Sequence, residues 1–392
     1  MIAVAVLILG LLIACLRLPI EKPAILFEKA PAIYYVSPEG SDSNPGSLSA
    51  PFRTIQRGAD VARPGDTVIV RDGLYTDTDL DGTLVYLKRG GAPGALITFK
   101  SENKWGAVLD GLENSSKYAW LFGAGARYVR IEGFEIRGFL RSGFWFNARP
   151  TAYFAQVCRN LVHHIGRIYS ESGEAGGTAS FVGYDNGHII FEGNVFHHIG
   201  RVHHDPRLPT DEKYDHPLYL RGTHITVMNN LFYENRSGWN VLISDRADYI
   251  KVINNTLCGA NPSKGGQVFI KHGDKRSVLI ENNISYEAGP RGFVYFYNSS
   301  GGGVAIRNNL VYGTPALFHN KKTVPSFRES GNMIGIDPGF VEAEEHNYRL
   351  GTGSPAIDAG LPVPDRKYDA EGNPVSGPQD IGAYEFQKKP GL

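Results

Sequence analysis

A short pattern that recurs along the middle of the chain constrains its fold most. Each copy has a run of alternating apolar residues, then in most copies an asparagine, then a second apolar run, as in Ile250-Lys-Val-Ile-Asn-Asn255-Thr-Leu. The corner between the two runs falls at positions spaced 23 to 36 residues apart, namely 134, 160, 194, 230, 255, 283, 309 and 332. Repeats of this period are typical of solenoids, in which each unit packs on the next.

The short runs of each repeat predict three β-strands per coil. They are too short for helices, and they alternate apolar and polar residues, which places successive side chains on opposite faces of a strand. A third run follows the asparagine corner, as in Val241-Leu-Ile-Ser244 and Val268-Phe-Ile-Lys271. The sequence therefore predicts an all-β parallel solenoid whose coils stack about 4.8 Å apart, with asparagine side chains bonded from coil to coil.

The composition agrees with a folded, strand-rich chain. Of 392 residues, 47 are glycine, 20 tyrosine and 20 phenylalanine, which favours strands and tight turns. The 40 Lys and Arg residues balance the 40 Asp and Glu residues, so no nucleic-acid partner is expected. The three cysteines, Cys15, Cys158 and Cys258, are too few for a disulfide scaffold or a cysteine-rich zinc module.

Residues 1–20 predict a targeting segment. An apolar run over residues 2–16 is short for a membrane span and matches the core of a signal peptide. Leu12-Ile13-Ala14-Cys15 is similar to a bacterial lipoprotein box, in which Cys15 would carry the lipid. A plain signal peptide or an uncleaved anchor is the alternative. Each reading predicts a secreted, periplasmic or cell-surface protein that touches the membrane only through this segment.

Segments at both ends of the repeat region carry a second signature. They are Tyr34-Tyr-Val-Ser-Pro-Glu-Gly40, Pro64-Gly-Asp-Thr-Val-Ile-Val-Arg-Asp-Gly-Leu-Tyr75 and Asp380-Ile-Gly-Ala-Tyr-Glu-Phe386. These resemble the framing segments of secreted right-handed parallel β-helix proteins of the pectate-lyase-like superfamily, which includes polysaccharide lyases and alginate epimerases. The resemblance implies a right-handed parallel β-helix over residues 33–340, capped by a short helix near residues 54–62. It also implies a closing segment over residues 341–387, packed on the β-helix.

In this superfamily the substrate lies along the outer face of the sheet that the third runs form. Alternation turns Arg221 and Lys271 outward in one column, two coils or about 10 Å apart. β-Elimination from a uronate needs a cation for the carboxylate, a base for the C5 proton and an acid for the leaving oxygen. The prediction is Lys271 as base, Arg221 as the neutralising cation, and His216 or Tyr214 as the acid/base partner.

Other side chains on this face and in two long loops predict contacts with substrate and metal. Aromatic rings stack on sugars and polar groups bond hydroxyls, which selects Tyr219, Tyr297, Trp145, His203 and Asp245 as substrate-binding residues. Loop carboxylates are candidate Ca²⁺ ligands, here Asp211, Asp215 and Glu174. The expected partner is the polysaccharide substrate, and the protein is expected to be a monomer.

Other functions stay open on these residues. A C5-epimerase would use the same groups and reprotonate C5 on the opposite face. A glycoside hydrolase needs two carboxyl groups across the scissile bond, whereas the outward columns hold none and the nearest are Asp245 and Asp274. A non-catalytic carbohydrate-binding solenoid is the alternative outside the enzymes. It predicts that Arg221, Lys271 and His216 do not converge in one cleft.

Overall fold

The part of the chain that is described comprises several ranges of a computed structural model. They are residues 30–148, 151–167, 177–202, 215–235, 237–259, 265–314, 316–321, 326–364 and 366–387. The predicted targeting segment, with Cys15, lies outside them. Within these ranges, none of the helices has the length and apolar character needed to span a membrane.

Three parallel β-sheets build the solenoid, and each coil contributes one strand to each sheet in turn. Among the described residues, sheet 1 contains the following strands: β1 (Ile33–Val36), β2 (Thr67–Val70), β5 (Ile97–Ser101), β8 (Val129–Glu132), β11 (Thr151–Cys158), β14 (Asn186–Glu192), β17 (Thr223–Met228), β20 (Asp248–Ile253), β23 (Val278–Glu281), β26 (Val304–Arg307) and β29 (Arg328–Ser330).

Sheets 2 and 3 follow the corner of each coil. Sheet 2 contains β3 (Gly73–Thr76), β6 (Ala107–Asp110), β9 (Glu135–Arg137), β12 (Leu161–His163), β15 (Val195–His197), β18 (Leu231–Tyr233), β21 (Thr256–Cys258), β24 (Ile284–Tyr286), β27 (Leu310–Tyr312) and β30 (Met333–Ile334). Sheet 3 contains β4 (Thr83–Leu87), β7 (Tyr118–Phe122), β10 (Ser142–Phe146), β13 (Thr178–Val182), β16 (Leu218–Leu220), β19 (Val241–Ser244), β22 (Val268–Lys271), β25 (Val294–Tyr297) and β28 (Phe318–Lys321). This architecture confirms the predicted parallel β-helix.

A short helix, α1 (Ile55–Val61), lies at the N-terminal end, where the sequence predicts a capping helix. Thr54 is its N-cap, because the Thr54 Oγ1 accepts a hydrogen bond from the Arg57 backbone N–H at 3.1 Å. Ile55 and Ala59 turn into the core that the first coils share. After the last coil, the antiparallel strands β31 (Phe340–Glu342) and β32 (Asn347–Leu350) flank a 3-10 helix at Ala343–Glu345.

Alternating side chains fill the inside of the coils. Alternation turns every second residue of a sheet-3 strand inward, and the pairs Val241 with Ile243 and Val268 with Ile270 are completely buried. Their column continues through every coil and forms one apolar core, which hydrophobic burial stabilises. The register of β19 on β22 pairs Val241 with Val268, so identical positions stack coil on coil.

A ladder of asparagines joins the coils at the corner between sheets 1 and 2. The Nδ2 group of each asparagine donates to the Oδ1 of the next one along the axis, over 2.9–3.1 Å. The ladder runs through Asn160, Asn194, Asn230, Asn255, Asn283, Asn309 and Asn332. These bonds satisfy amides that lie in a dry corner, as the repeat predicts.

The segment over residues 341–387 makes side-chain and backbone bonds to sheet-1 corners. The Arg366 Nε donates to the Asn229 Oδ1 at 2.9 Å, and the Gly382 backbone N–H donates to the Asn282 carbonyl at 2.8 Å. Asn229 and Asn282 directly follow β17 and β23, so the closing segment contacts the corner between sheets 1 and 2.

Candidate active site

The outer face of sheet 3 carries two columns of side chains in register. Tyr219, Leu242, Phe269 and Tyr295 are paired in that order from β16 to β25. Beside them, Ser244, Lys271, Tyr297 and Lys321 form the second column. Both columns are those expected from alternation, and the second brings a lysine next to a phenol.

Trp239, in the turn before β19, covers part of the first column. Its ring lies 4.4 Å from that of Phe269 and 6.0 Å from that of Tyr295, centroid to centroid. Leu242, Phe269 and Tyr295 are buried under this cover and form a small apolar cluster outside the solenoid core. The column therefore points away from the solenoid core, but it forms the floor of a cleft rather than a solvated surface.

A cleft of about 480 Å³ lies over this floor. The cations around it are Lys271, Arg291 and Lys321, and the phenols of Tyr219 and Tyr297 also line it. The described lining residues include no carboxylate. Aromatic rings can stack on sugars and cations can attract carboxylates, so these side chains give the cleft the chemistry to hold an anionic sugar.

His216, in the turn before β16, forms one wall of the cleft. Only 2 % of its surface is exposed, and its Nδ1 accepts the Trp239 backbone N–H at 3.1 Å. Burial, with the charge of Lys271, lowers the pKa of His216 to about 3. The ring is therefore neutral near pH 7, with its proton on Nε2. It can donate a hydrogen bond, but near pH 7 it is not the charged form that would serve as the acid in the acid/base role predicted for His216.

This burial predicts a pH effect on stability. The His216 pKa of about 3 in the folded chain lies below its ordinary value of 6.5, so the folded state binds fewer protons than the unfolded state. The stability that the neutral ring contributes is full above pH 6.5 and is lost as the pH falls towards 3. His216→Asn keeps an acceptor for Trp239 but does not titrate. Relative to this variant, the wild type should lose about 1.4 kcal/mol of unfolding free energy per pH unit below about pH 6.

Urea unfolding of both proteins between pH 7 and pH 4 measures the difference. Other buried histidines are common to both proteins and cancel in the comparison. Parallel pH profiles for the two proteins would contradict a buried neutral ring at position 216.

Arg221 belongs to a second cluster on the same face. Its Nη2 lies 3.0 Å from the Asp245 Oδ2, which also accepts the Tyr184 hydroxyl at 2.6 Å. The Arg221 Cζ stands 3.5 Å from the centroid of the Tyr184 ring, a cation–π contact. Arg221 is not one of the residues that line the cleft around Lys271. The structure thus places Lys271 and His216 in one cleft, whereas Arg221 forms an ion pair with Asp245.

The remaining predicted residues fall in different places. Tyr219 and Tyr297 line the cleft. Trp145 stacks on Phe181 at 4.3 Å, on the same face but four strands, or about 19 Å, from Lys271. Both carboxylate oxygens of Asp215 bond Arg201, at 3.0 and 3.2 Å. Because this buried ion pair uses both of its oxygens, Asp215 does not fit the predicted role of a Ca²⁺ ligand. Four predicted residues lie outside the described ranges: Tyr214, His203, Asp211 and Glu174.

Several residues that line the cleft are absent from the sequence-based prediction, among them Trp239, His272, Arg291 and Lys321. Lys321 continues the column of Lys271 and Tyr297, so extending the repeat by one coil would have found it. Arg291 and Trp239 sit in turns before their strands, where no periodicity assigns a direction. Arg291 holds its Cζ 5.1 Å from the centroid of the Tyr295 ring, beside the floor of the cleft.

Comparison with known proteins supports the architecture. Residues 34–194 match the family described as Pel9A-like, right-handed β-helix region. The crystal structure of pectate lyase Pel9A superposes with a TM-score of 0.60 at 16 % identity, covering 92 % of this chain and 97 % of that one. A rhamnogalacturonan lyase gives 0.51 at 16 % identity, covering 85 % and 95 %. These likenesses confirm the right-handed parallel β-helix and the resemblance seen in the sequence.

Two curated proteins are similar over shorter stretches. The uncharacterized protein YwoF of Bacillus subtilis is 40 % identical over 77 residues, which is 20 % of this chain and 15 % of that protein. Pectate lyase PEL9 of Emericella nidulans is 33 % identical over 91 residues, 23 % of this chain and 20 % of that protein. The matched stretches thus span a fifth or less of the length of either relative.

Proposed function

We propose that this pectate-lyase-like right-handed β-helix protein cleaves a uronate-containing polysaccharide by β-elimination, with Lys271 as the base. The observation that carries the proposal is the composition of the cleft on sheet 3, where cations and aromatic rings surround Lys271 and no described lining residue is a carboxylate. The pectate lyase relative and the structurally similar lyases support the same reaction class.

The proposed β-elimination proceeds by three changes at the bond that is cleaved. The base takes the proton from C5 of the uronate. The electron pair of that C–H bond forms the C4–C5 double bond, and the C4–O bond breaks. The leaving oxygen then takes a proton, giving one chain with an unsaturated uronate and a second chain with an intact terminal sugar. A Lys amine is a suitable base once it is neutral, because it then carries a free electron pair.

The other groups follow from their positions. Arg291 and Lys321 line the cleft and are the cations available to offset the C5 carboxylate, which lowers the cost of removing the adjacent proton. Tyr297 is paired with Lys271 in register, so its phenol is our candidate to protonate the leaving oxygen. The neutral Nε2–H of His216 would hold a sugar oxygen. Tyr214 stays a prediction for the acid role.

A hydrolase is less well supported. Hydrolysis needs two carboxyl groups about 5–10 Å apart around the bond. Asp245 is one of the two acids that lie nearest, in the sequence, to the outward columns of sheet 3. Its carboxylate is bound by Arg221 and Tyr184. A C5-epimerase would use the same cleft and differs only in the fate of the C5 carbanion. We also propose, from the N-terminal segment, that the protein acts after export.

The test is incubation of the purified protein with polygalacturonate, rhamnogalacturonan and alginate. We expect ultraviolet absorbance of the unsaturated uronate to rise with one of these polymers. New reducing ends without that absorbance would indicate hydrolysis. Exchange of the C5 hydrogen for deuterium, seen by NMR without chain cleavage, would indicate epimerisation. Retention on a polymer column with none of these products would indicate a binding protein and would overturn the proposal.

A further inference from the structure

An acidic loop at the N-terminal end of the β-helix has no role in the proposed reaction. It joins β3 to β4 and reads Asp77-Thr-Asp79-Leu-Asp81-Gly82. Ligand oxygens of Asp77, Asp79 and Asp81 lie within 4.8 Å of one another. Acids at the first, third and fifth positions, followed by glycine at the sixth, are the beginning of a Ca²⁺-binding loop. The loop lies between two strands, where the strand periodicity used in the sequence-based prediction does not apply.

The buried acid of this loop points to a ligand. Asp77 is 3 % exposed. Its Oδ2 accepts the Gly82 backbone N–H and the Ser116 hydroxyl, both at 2.9 Å. Its Oδ1 is buried and has no hydrogen-bond donor. A buried carboxylate oxygen without a donor is costly, and the neighbouring acids of the cluster cannot donate when ionised. A cation between these oxygens removes the cost.

The other two acids, Asp79 and Asp81, offer carboxylate oxygens on the solvent side of Asp77. Asp79 and Asp81 are exposed, and the Asp81 Oδ1 accepts the Thr83 backbone N–H at 2.8 Å, which fixes its direction.

We propose that Asp77, Asp79 and Asp81 bind one Ca²⁺, with water in the remaining positions. The proposed ion ties the β3–β4 loop to the second coil through Asp77 and Ser116, far from Lys271 along the axis. Ca²⁺ fits better than Mg²⁺, because it accepts irregular oxygen geometry. The twelfth position of the loop is Lys88 in place of the bidentate glutamate. The affinity should therefore be weak, with a Kd of about 0.1–1 mM, as in extracellular modules.

The test is calorimetric titration of the full chain with CaCl₂, combined with thermal unfolding. We expect saturable binding with the stated Kd and a rise in Tm of about 2 °C at a Ca²⁺ concentration of about ten times Kd. Asp79→Asn with Asp81→Asn should weaken binding at least tenfold and remove the rise in Tm. Asparagine keeps the size and the Oδ1 acceptor of both residues, so the variant should fold.

The matched control is Glu344→Gln with Glu345→Gln, which removes two exposed charges from the 3-10 helix and should leave the titration unchanged. Absence of saturable binding by the wild type, or unchanged binding by the Asp79/Asp81 variant, would overturn the proposal. Neither outcome depends on turnover of a polysaccharide, so failure of the proposed lyase activity leaves this test intact.

Discussion

Replacing Lys271 with methionine is expected to lower turnover of the cleaved uronate polymer by about 10³-fold, within the range for loss of a general base. The lysine lines the cleft, between Ser244 and Tyr297 in its column. Methionine keeps most of the side-chain length and removes the amine, so the cleft should persist without its base. The initial rate of ultraviolet absorbance at saturating polymer, compared with polymer affinity, measures the effect on the chemical step.

Two further variants separate the base from a mere positive charge. Lys271→Arg retains the charge, but a guanidinium stays protonated in proteins and cannot accept the C5 proton. It should be nearly as inactive as the methionine variant. Lys251→Met makes the same change at an exposed position of β20 in sheet 1 and should keep full activity. If Lys271→Arg retained most of the wild-type rate, Lys271 would act as a cation for the carboxylate and the base would be another group.

The fold and half of the site are readable from the sequence because both follow from periodicity. The asparagine corners set the coil length, and alternation within each third run then fixes which side chains leave the core. Lys271, Tyr297 and Tyr219 are placed by these two rules alone, and the structure brings them to one cleft. The rules work here because a strand has a two-residue period and every coil repeats the same register.

For other predicted residues the sequence does not give the surroundings, because these residues sit in turns or depend on pairings between distant side chains. His216 precedes β16, where no alternation applies, and its burial depends on Trp239 from the next coil. Alternation places Arg221 on the right face, but periodicity does not predict that Tyr184, 61 residues from Asp245 in the chain, joins the Arg221–Asp245 pair. Asp215 reads as a loop acid until Arg201 is seen to bond both of its oxygens.

The asparagine ladder gives the second large expected effect, because each member serves its neighbours on both sides. The Asn255 Oδ1 accepts the backbone N–H of Asn230 at 2.9 Å and its Nδ2 group at 3.0 Å. The Asn255 Nδ2 donates to the Val227 carbonyl at 2.9 Å. Asn230 and Asn255 are completely buried, so water cannot replace a bond that is lost. Each orphaned buried group costs about 1–3 kcal/mol.

Asn255→Ala should therefore destabilise the protein by about 3–5 kcal/mol, since it leaves the Asn230 N–H and the Val227 carbonyl without this partner and opens a cavity. The midpoint of urea unfolding, followed by circular dichroism, measures the loss. Asn332→Ala is the matched change at the last rung of the ladder, where the side chain is partly exposed. Water can reach the groups left there, so the cost should be about 1–2 kcal/mol. Equal losses at the two positions would mean that the ladder stabilises through packing of the corner rather than through the satisfaction of buried amides.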